Sequence, residues 1–229
     1  MKNSIKTIAF DADDTLWVNE PYFQEAEKEF CNLLEDYVPH ELASKELLQT
    51  EIKNLNLYGY GVKGFVLCMI EAANQITANK APLHLSNRII AIGQELLQKP
   101  VILLDEVEHT LAQLKGKYQL IVATKGDLLD QKRKLIKSGL ENYFHHIEIM
   151  SDKQTQDYTN LLQRISCAPQ NFLMLGNSLK SDILPVLELG GFAGHIPYHV
   201  TWTHELHDER LQHIQFIELD KIGSILNHL

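Results

Sequence analysis

Ile5-Lys6-Thr7-Ile8-Ala9-Phe10-Asp11-Ala12-Asp13-Asp14-Thr15-Leu16-Trp17 is a strand-like apolar run that stops at three acids within four positions. Short apolar runs of this type read as buried parallel strands. In open α/β sheets ligands bind at the carboxyl ends of the strands, so Asp11 and Asp13 would leave the strand into a site. Like charges packed this closely need an offsetting positive group, a divalent cation or a lysine. The plainer alternative is a solvated acidic turn that caps the next element, and the downstream residues bear on that choice.

Working outward, strand-like runs largely disappear after Trp17. Pro21 opens a helix through Phe23, Ala26, Phe30, Leu33 and Leu34, which ends near Val38-Pro39. Further helices are expected from about Glu41 to Asn54 and from about Gly64 to Ala78. Ser86 is the expected N-cap of a fourth, which runs to about Gln98. From Pro100 onward, helices alternate with strands at Tyr118–Ala123, His146–Met150, Phe172–Leu175, Phe192–Ile196 and Gln215–Leu219. Strands separated by helices of this length imply βαβ units in a doubly wound parallel sheet. The expected architecture is an α/β core over 1–18 and 100–229, with a helical domain over 19–99 inserted after the first strand.

The 229 residues carry a net charge of -9, which disfavours a nucleic-acid or anionic-membrane surface, since phosphate backbones select basic stripes. No apolar run reaches membrane-spanning length. Cys31, Cys68 and Cys167 are scattered among apolar residues and read as structural thiols rather than a disulfide framework. With no secretory segment visible, a cytoplasmic location is expected.

Three strand ends each deliver polar residues to one expected sheet edge: Asp11 and Asp13, then Thr124-Lys125-Gly126, then Gly176-Asn177-Ser178 with Asp182 about a turn later. Lys153 lies between the last two. The acids and the amide oxygen suit a hard cation such as Mg²⁺. The Thr124 hydroxyl, the backbone N–H groups at Lys125-Gly126 and the lysine suit phosphoryl oxygens.

These four motifs, in this order, resemble those of the haloacid dehalogenase (HAD) superfamily, and the helical insert sits where that family carries a type-1 cap. The resemblance implies a flap around Leu16–Glu20, a cap that closes over the site, and a small phosphorylated molecule as substrate. It implies that Asp11 attacks phosphorus to form an aspartyl-phosphate, and that Asp13 protonates the leaving oxygen and later activates water. It further implies Mg²⁺ held by Asp11, the backbone carbonyl of Asp13, and Asn177 or Asp182, with Lys153 neutralising the phosphate and Asp11. The dehalogenases of the superfamily lack the second acid, so Asp13 favours phosphoryl transfer. Asn177 departs from the Asp of many phosphatases in the family and should weaken metal binding. A phosphomutase or a dehalogenase on the same core, or a binding protein on a degenerate one, stay open as alternatives.

Outside the core motifs, Leu57-Tyr58-Gly59-Tyr60-Gly61-Val62-Lys63-Gly64 reads as a loop at the head of the third helix. Tyr60 and Lys63 in it are candidate contacts for the leaving group. Thr201-Trp202-Thr203-His204-Glu205 could rim the site or be a surface loop. His204-Glu205-Leu206-His207 lacks the zincin spacing. Lys132-Arg133-Lys134 reads as a solvated helix face.

Overall fold

The computed structural model describes residues 4–205 and 211–229, so Leu206 and His207 of the histidine-bearing run lie outside the described residues. The chain divides into two compact units, Met1–Glu20 with Val101–Leu229, and Pro21–Pro100.

The first unit is built on a parallel sheet that has six strands among the described residues: β1 (Thr7–Phe10), β2 (Gln119–Lys125), β3 (His146–Met150), β4 (Phe172–Gly176), β5 (Phe192–His195) and β6 (Phe216–Glu218). Their order is β3-β2-β1-β4-β5-β6, every pair parallel. β1 is thus flanked on both sides and buried throughout its length. The register aligns Phe10 with Val122 on one neighbour and with Leu175 on the other. The residues that follow these three positions therefore emerge together at one edge.

Alternation along the strands sorts side chains to the two faces. Ile8, Phe10, Leu120, Val122, Leu173 and Leu175 pack on one face with Val107, Leu111 and Leu114 of α5 (Val107–Leu114) and Leu135 of α6 (Leu128–Ser138). Ala9, Ile121, Ala123, Phe172 and Met174 pack on the other, against Tyr158 and Leu161 of α7 (Thr155–Arg164) and Val186 of α8 (Leu184–Glu188). Strands covered on both faces explain why these segments read as continuous apolar runs. Asp127 caps α6 by accepting the Asp130 N–H at 3.1 Å, and Gly139 ends the helix in the left-handed region.

Where the chain leaves the sheet unit and where it returns, two short segments pair. Trp17 and Leu103 form an antiparallel bridge, the Val18 N–H donates to the Ile102 carbonyl at 2.9 Å, and the Leu104 N–H donates to the Leu16 carbonyl at 3.0 Å.

The second unit contains α2 (His40–Tyr58), α3 (Val62–Ile76) and α4 (Leu83–Gln98), together with all of α1 (Glu20–Leu33) after its first residue. Phe30, Leu34, Leu47, Phe65, Met69, Ile89 and Ile92 form its core. α3 and α4 approach closely at Gly93, where an added Cβ would lie 2.2 Å from the Val66 Cγ2. Cys31 and Cys68 are buried here as free thiols, and Cys167 in the other unit is also free. Burial pushes the Cys31 thiol up to about 11 and the Cys68 thiol up to about 12, so both stay protonated. Among the described residues, no helix is long and apolar enough to cross a membrane.

Several element ends differ from the sequence reading. Ser86 is not a cap but lies within the first turns of α4, whose N-cap position is the extended Pro82. Pro82 has no side chain to cap the helix, but its carbonyl accepts the Leu85 N–H at 2.9 Å and so starts the first turn. α2 runs on to Tyr58 and stops at Gly59, which has φ +70°. Between β4 and α8 the chain makes a π-turn at Leu179–Ile183.

Candidate active site

Asp11 is the first residue beyond β1, and its backbone N–H continues the ladder by donating to the Leu175 carbonyl at 2.8 Å. The chain then turns sharply. Leu16 and Trp17 both donate N–H bonds to the Ala12 carbonyl, at 2.8 and 3.3 Å, and the Asp14 N–H reaches the Trp17 carbonyl at 2.7 Å. Asp14 holds φ +61°, a left-handed conformation that Asp tolerates better than most side chains. Its carboxylate accepts the N–H groups of Asn19 and Glu20 at 2.9 Å each, fixing the start of α1. Burial pushes this carboxyl up to about 7 against those bonds. Asp14, which the sequence reading left without a role, is the residue that closes the turn.

Lys153 is buried at 1% exposure between two carboxylates. Its ammonium donates to Asp11 Oδ1 and, at 2.6 Å, to Asp182 Oδ1. Burial alone would lower the lysine, but Asp11 and Asp182 hold it above its ordinary value, so it stays charged. Asp11 goes the other way: burial, reinforced by the Asp182 charge, pushes it up to about 7 in spite of Lys153.

Asp182 sits in the π-turn, a distortion often found at functional sites. Its second oxygen accepts the Ser178 N–H at 3.0 Å. Gly176 packs closely beneath it: a Cβ at that position would lie 2.2 Å from Asp182 Oδ2. Both Asp182 oxygens are therefore engaged by the protein. Asn177 shares a neighbour with Asp11 instead: the Thr15 hydroxyl lies 3.3 Å from both Asp11 Oδ2 and Asn177 Oδ1.

Those two oxygens and two carboxylates sharing one ammonium make a site short of positive charge. Among the described residues, no group of three or more His, Cys, Asp or Glu side chains forms a metal cage. A cation here would be held by a carboxylate and an amide oxygen, with water completing the shell. That is how Mg²⁺ is ordinarily bound, and the donor set fits it.

Asp13, beside this cluster, has partners of its own. Its Oδ1 accepts the Trp17 indole N–H at 2.7 Å and its Oδ2 the Gln131 amide at 2.8 Å. The Lys134 ammonium spans both oxygens at 2.9 and 3.1 Å and also reaches Asn19 Oδ1 at 2.7 Å. Lys134 was expected on a solvated face; its side chain is only 19% exposed and faces Asp13. The available signal was the spacing of Gln131 and Lys134, three apart and so on one helix face, directly after the Thr124–Gly126 strand end.

Thr124 is buried at the end of β2, with its hydroxyl 3.3 Å from the Lys125 carbonyl. Lys125, the last residue of that strand, donates from its ammonium to Ser181 Oγ at 2.8 Å and Glu205 Oε1 at 2.6 Å. The other Glu205 oxygen accepts from the Ser178 and Ser181 hydroxyls. Burial would raise this carboxyl, but Lys125 and the two serines hold it at about 2. The Trp202–Glu205 segment thus reaches the rim of the site through Glu205, while the Trp202 ring lies tilted against His204 at 5.0 Å between centroids. Tyr60 and Lys63 lie in the helical unit, at the glycine-flanked junction of α2 and α3.

The geometry gathers Asp11, Lys153, Asp182, Asn177 and Thr15 at one sheet edge, with Asp13 beside them on its own support. Comparisons with known proteins identify the family. The haloacid dehalogenase-like hydrolase family profile matches residues 5–190. The crystal structure of a haloacid dehalogenase-like family hydrolase from Xanthomonas campestris is 36% identical, with a TM-score of 0.86 over 97% of this chain and 88% of that one. The glyceraldehyde 3-phosphate phosphatase of Methanothermobacter thermautotrophicus is 27% identical over 199 residues, covering 81% of this chain and 83% of that one. A magnesium-bound Bacillus subtilis structure of HAD-hydrolase type shares the fold, with a TM-score of 0.64 at 18% identity over 99% of both chains. The chain belongs to the haloacid dehalogenase-like hydrolases and is an enzyme of that family.

Proposed function

We propose that the protein is a Mg²⁺-dependent phosphomonoesterase for a small phosphorylated metabolite, working through an aspartyl-phosphate on Asp11. The observation that carries this reading is the buried Asp11 carboxylate at the end of β1, with Lys153 on one oxygen and the Thr15 hydroxyl linking the other to Asn177. A carboxylate so held is a positioned nucleophile next to a cation that can neutralise an approaching phosphate. Asp11 attacks phosphorus as the bond to the leaving oxygen breaks, and Asp13 supplies the proton that an alkoxide needs to depart. Asp13 then takes a proton from water, whose oxygen attacks phosphorus and breaks the bond to Asp11. A halide would need no such proton, so the second acid supports phosphate esters over haloacids as substrates.

Asp11, Asn177 and the backbone carbonyl of Asp13 would hold the Mg²⁺, because both Asp182 oxygens already serve Lys153 and the Ser178 N–H. Bound there, the cation would add positive charge to that of the Lys153 ammonium and would steady charge on the transferring group. Thr124 and the N–H groups at Lys125-Gly126 receive phosphoryl oxygens. The helical unit is the cap in this reading, with Tyr60 and Lys63 contacting the leaving group. The phosphatase name of the Methanothermobacter relative supports a three-carbon phosphorylated substrate such as glyceraldehyde 3-phosphate.

The test is phosphate release from a panel of phosphoesters that includes glyceraldehyde 3-phosphate and p-nitrophenyl phosphate. Wild type and Asp11→Asn are each assayed with Mg²⁺ and with EDTA. Turnover should require both Mg²⁺ and Asp11. Turnover that persists in EDTA or in Asp11→Asn rules the mechanism out.

A further inference from the structure

We propose that Lys134 is a positioning residue for Asp13, acting with Gln131 and Trp17 to select the orientation of that carboxylate. The inference rests on the reading of Asp13 as the proton donor to the leaving group. Asp13 has donors on both oxygens from two separate parts of the chain: Trp17 four residues along its own segment, and Gln131 and Lys134 on α6. A surface lysine ordinarily gains little from an ion pair, because its long side chain loses rotamer freedom when held. Lys134 instead makes three oxygen contacts of 2.7 to 3.1 Å while withdrawn from most solvent.

Gln131 shows the same priority. Its amide nitrogen is shared between Asp13 Oδ2 and the Lys125 carbonyl, at 2.8 and 2.7 Å. Its carbonyl oxygen is buried without a hydrogen-bond partner among the described residues. Leaving a buried acceptor unpaired is costly, so the orientation of this side chain is set by what its nitrogen does for Asp13 and the end of β2. Lys134 joins the same carboxylate to Asn19, in the turn that Asp14 closes. Removing the ammonium leaves Asp13 with two neutral donors and more freedom to rotate away from a bound ester.

The experiment compares two esters. An alkyl phosphate such as glycerol 3-phosphate releases an alkoxide that must be protonated, whereas p-nitrophenyl phosphate releases a stabilised phenolate that leaves without help. The readout is the ratio of kcat/KM on the nitrophenyl ester to kcat/KM on the alkyl ester. General acids contribute about 10²- to 10⁴-fold. Asp13→Asn should therefore raise the ratio by about 100-fold or more, and Lys134→Met by about tenfold or more. Lys134→Arg, which keeps the charge and the donors, should return the ratio toward wild type. In an Asp13→Asn background, Lys134→Met should add nothing further to the ratio, because coupled residues are not additive.

A purely structural lysine would depress both esters alike and leave the ratio unmoved. If Asp13→Asn shifts the ratio and Lys134→Met does not, the positioning role is overturned while the Asp13 assignment stands. If Asp13→Asn itself leaves the ratio unchanged, the Asp13 assignment falls, and this inference with it. Should Lys134→Met fail to fold, Lys134→Gln keeps a polar side chain of similar reach and is held to the same ratio.

Discussion

Asp11→Asn should make the protein more stable in the absence of metal, and more so at alkaline than at acid pH. The folded carboxyl is pushed up to about 7 from an ordinary 3.8, chiefly by burial. The folded state thus holds a proton that the unfolded chain has released, and stability falls as pH rises between those two values. Above about 7 the full cost is present. At 1.36 kcal/mol per pH unit its ceiling is about 4 kcal/mol. Asparagine keeps the shape but gives up the ion pair with Lys153, which retains Asp182 at 2.6 Å. About half the ceiling, near 2 kcal/mol, should therefore appear as a gain at pH 8, or about 4–8 °C in Tm for a chain of this size. At pH 5 the wild-type cost has accumulated only from 3.8 upward, so the gain should be less than about half as large. Calorimetry in EDTA at the two pH values measures both numbers. A loss of stability at pH 8, or equal gains at pH 5 and pH 8, would refute the claim that burial of Asp11, only partly offset by Lys153, strains the site.

Two further substitutions probe its supports. Gly176→Ala would drive a Cβ into the Asp182 carboxylate, loosening Lys153. We expect a stability cost of about 1–3 kcal/mol and a fall in phosphate release of about 100-fold, read by thermal melts and the phosphate assay. Glu205→Gln removes a carboxylate held at about 2, whose stabilising contribution is full above 4.5 and fades as pH falls through that range toward 2. Thermal melts should show a loss of about 1–3 kcal/mol at pH 7 that narrows by pH 3; a loss that does not depend on pH would mean that packing, not charge, holds that segment in place.

The parallel sheet and the cluster around Asp11 were legible in the sequence because their signals are local. A buried strand followed at once by acids announces both the strand and the edge where it ends, and the same holds at Thr124 and at Gly176-Asn177. What was not legible depends on partners far apart in the chain. Lys134 looks like any basic helix residue until α6 is laid beside the turn after β1, which brings it to Asp13. Glu205 belongs to a segment without periodicity, and only the fold carries it to Lys125 and the two serines. Asp14 sat in plain view among three acids, yet its role depends on a backbone angle that composition does not reveal. The π-turn that aims Asp182 at Lys153 likewise differs from an ordinary helix start by hydrogen-bond register alone.

The paired segments at Trp17–Val18 and Ile102–Leu104 bear on how such a chain can change over evolutionary time. With exit and return held side by side, the sheet experiences everything between them as a single closed loop. The entropy of closing a loop grows only with the logarithm of its length, about 0.6 kcal/mol for each doubling. Insertions, losses or wholesale exchange of the intervening helices therefore leave the sheet nearly indifferent. Selection can remodel that stretch while Asp11, Lys153 and Asp182 stay where they are. An antiparallel pair of this kind could even be closed by a tight turn, which makes the zipped linkers a natural point at which to graft one helical insert in place of another.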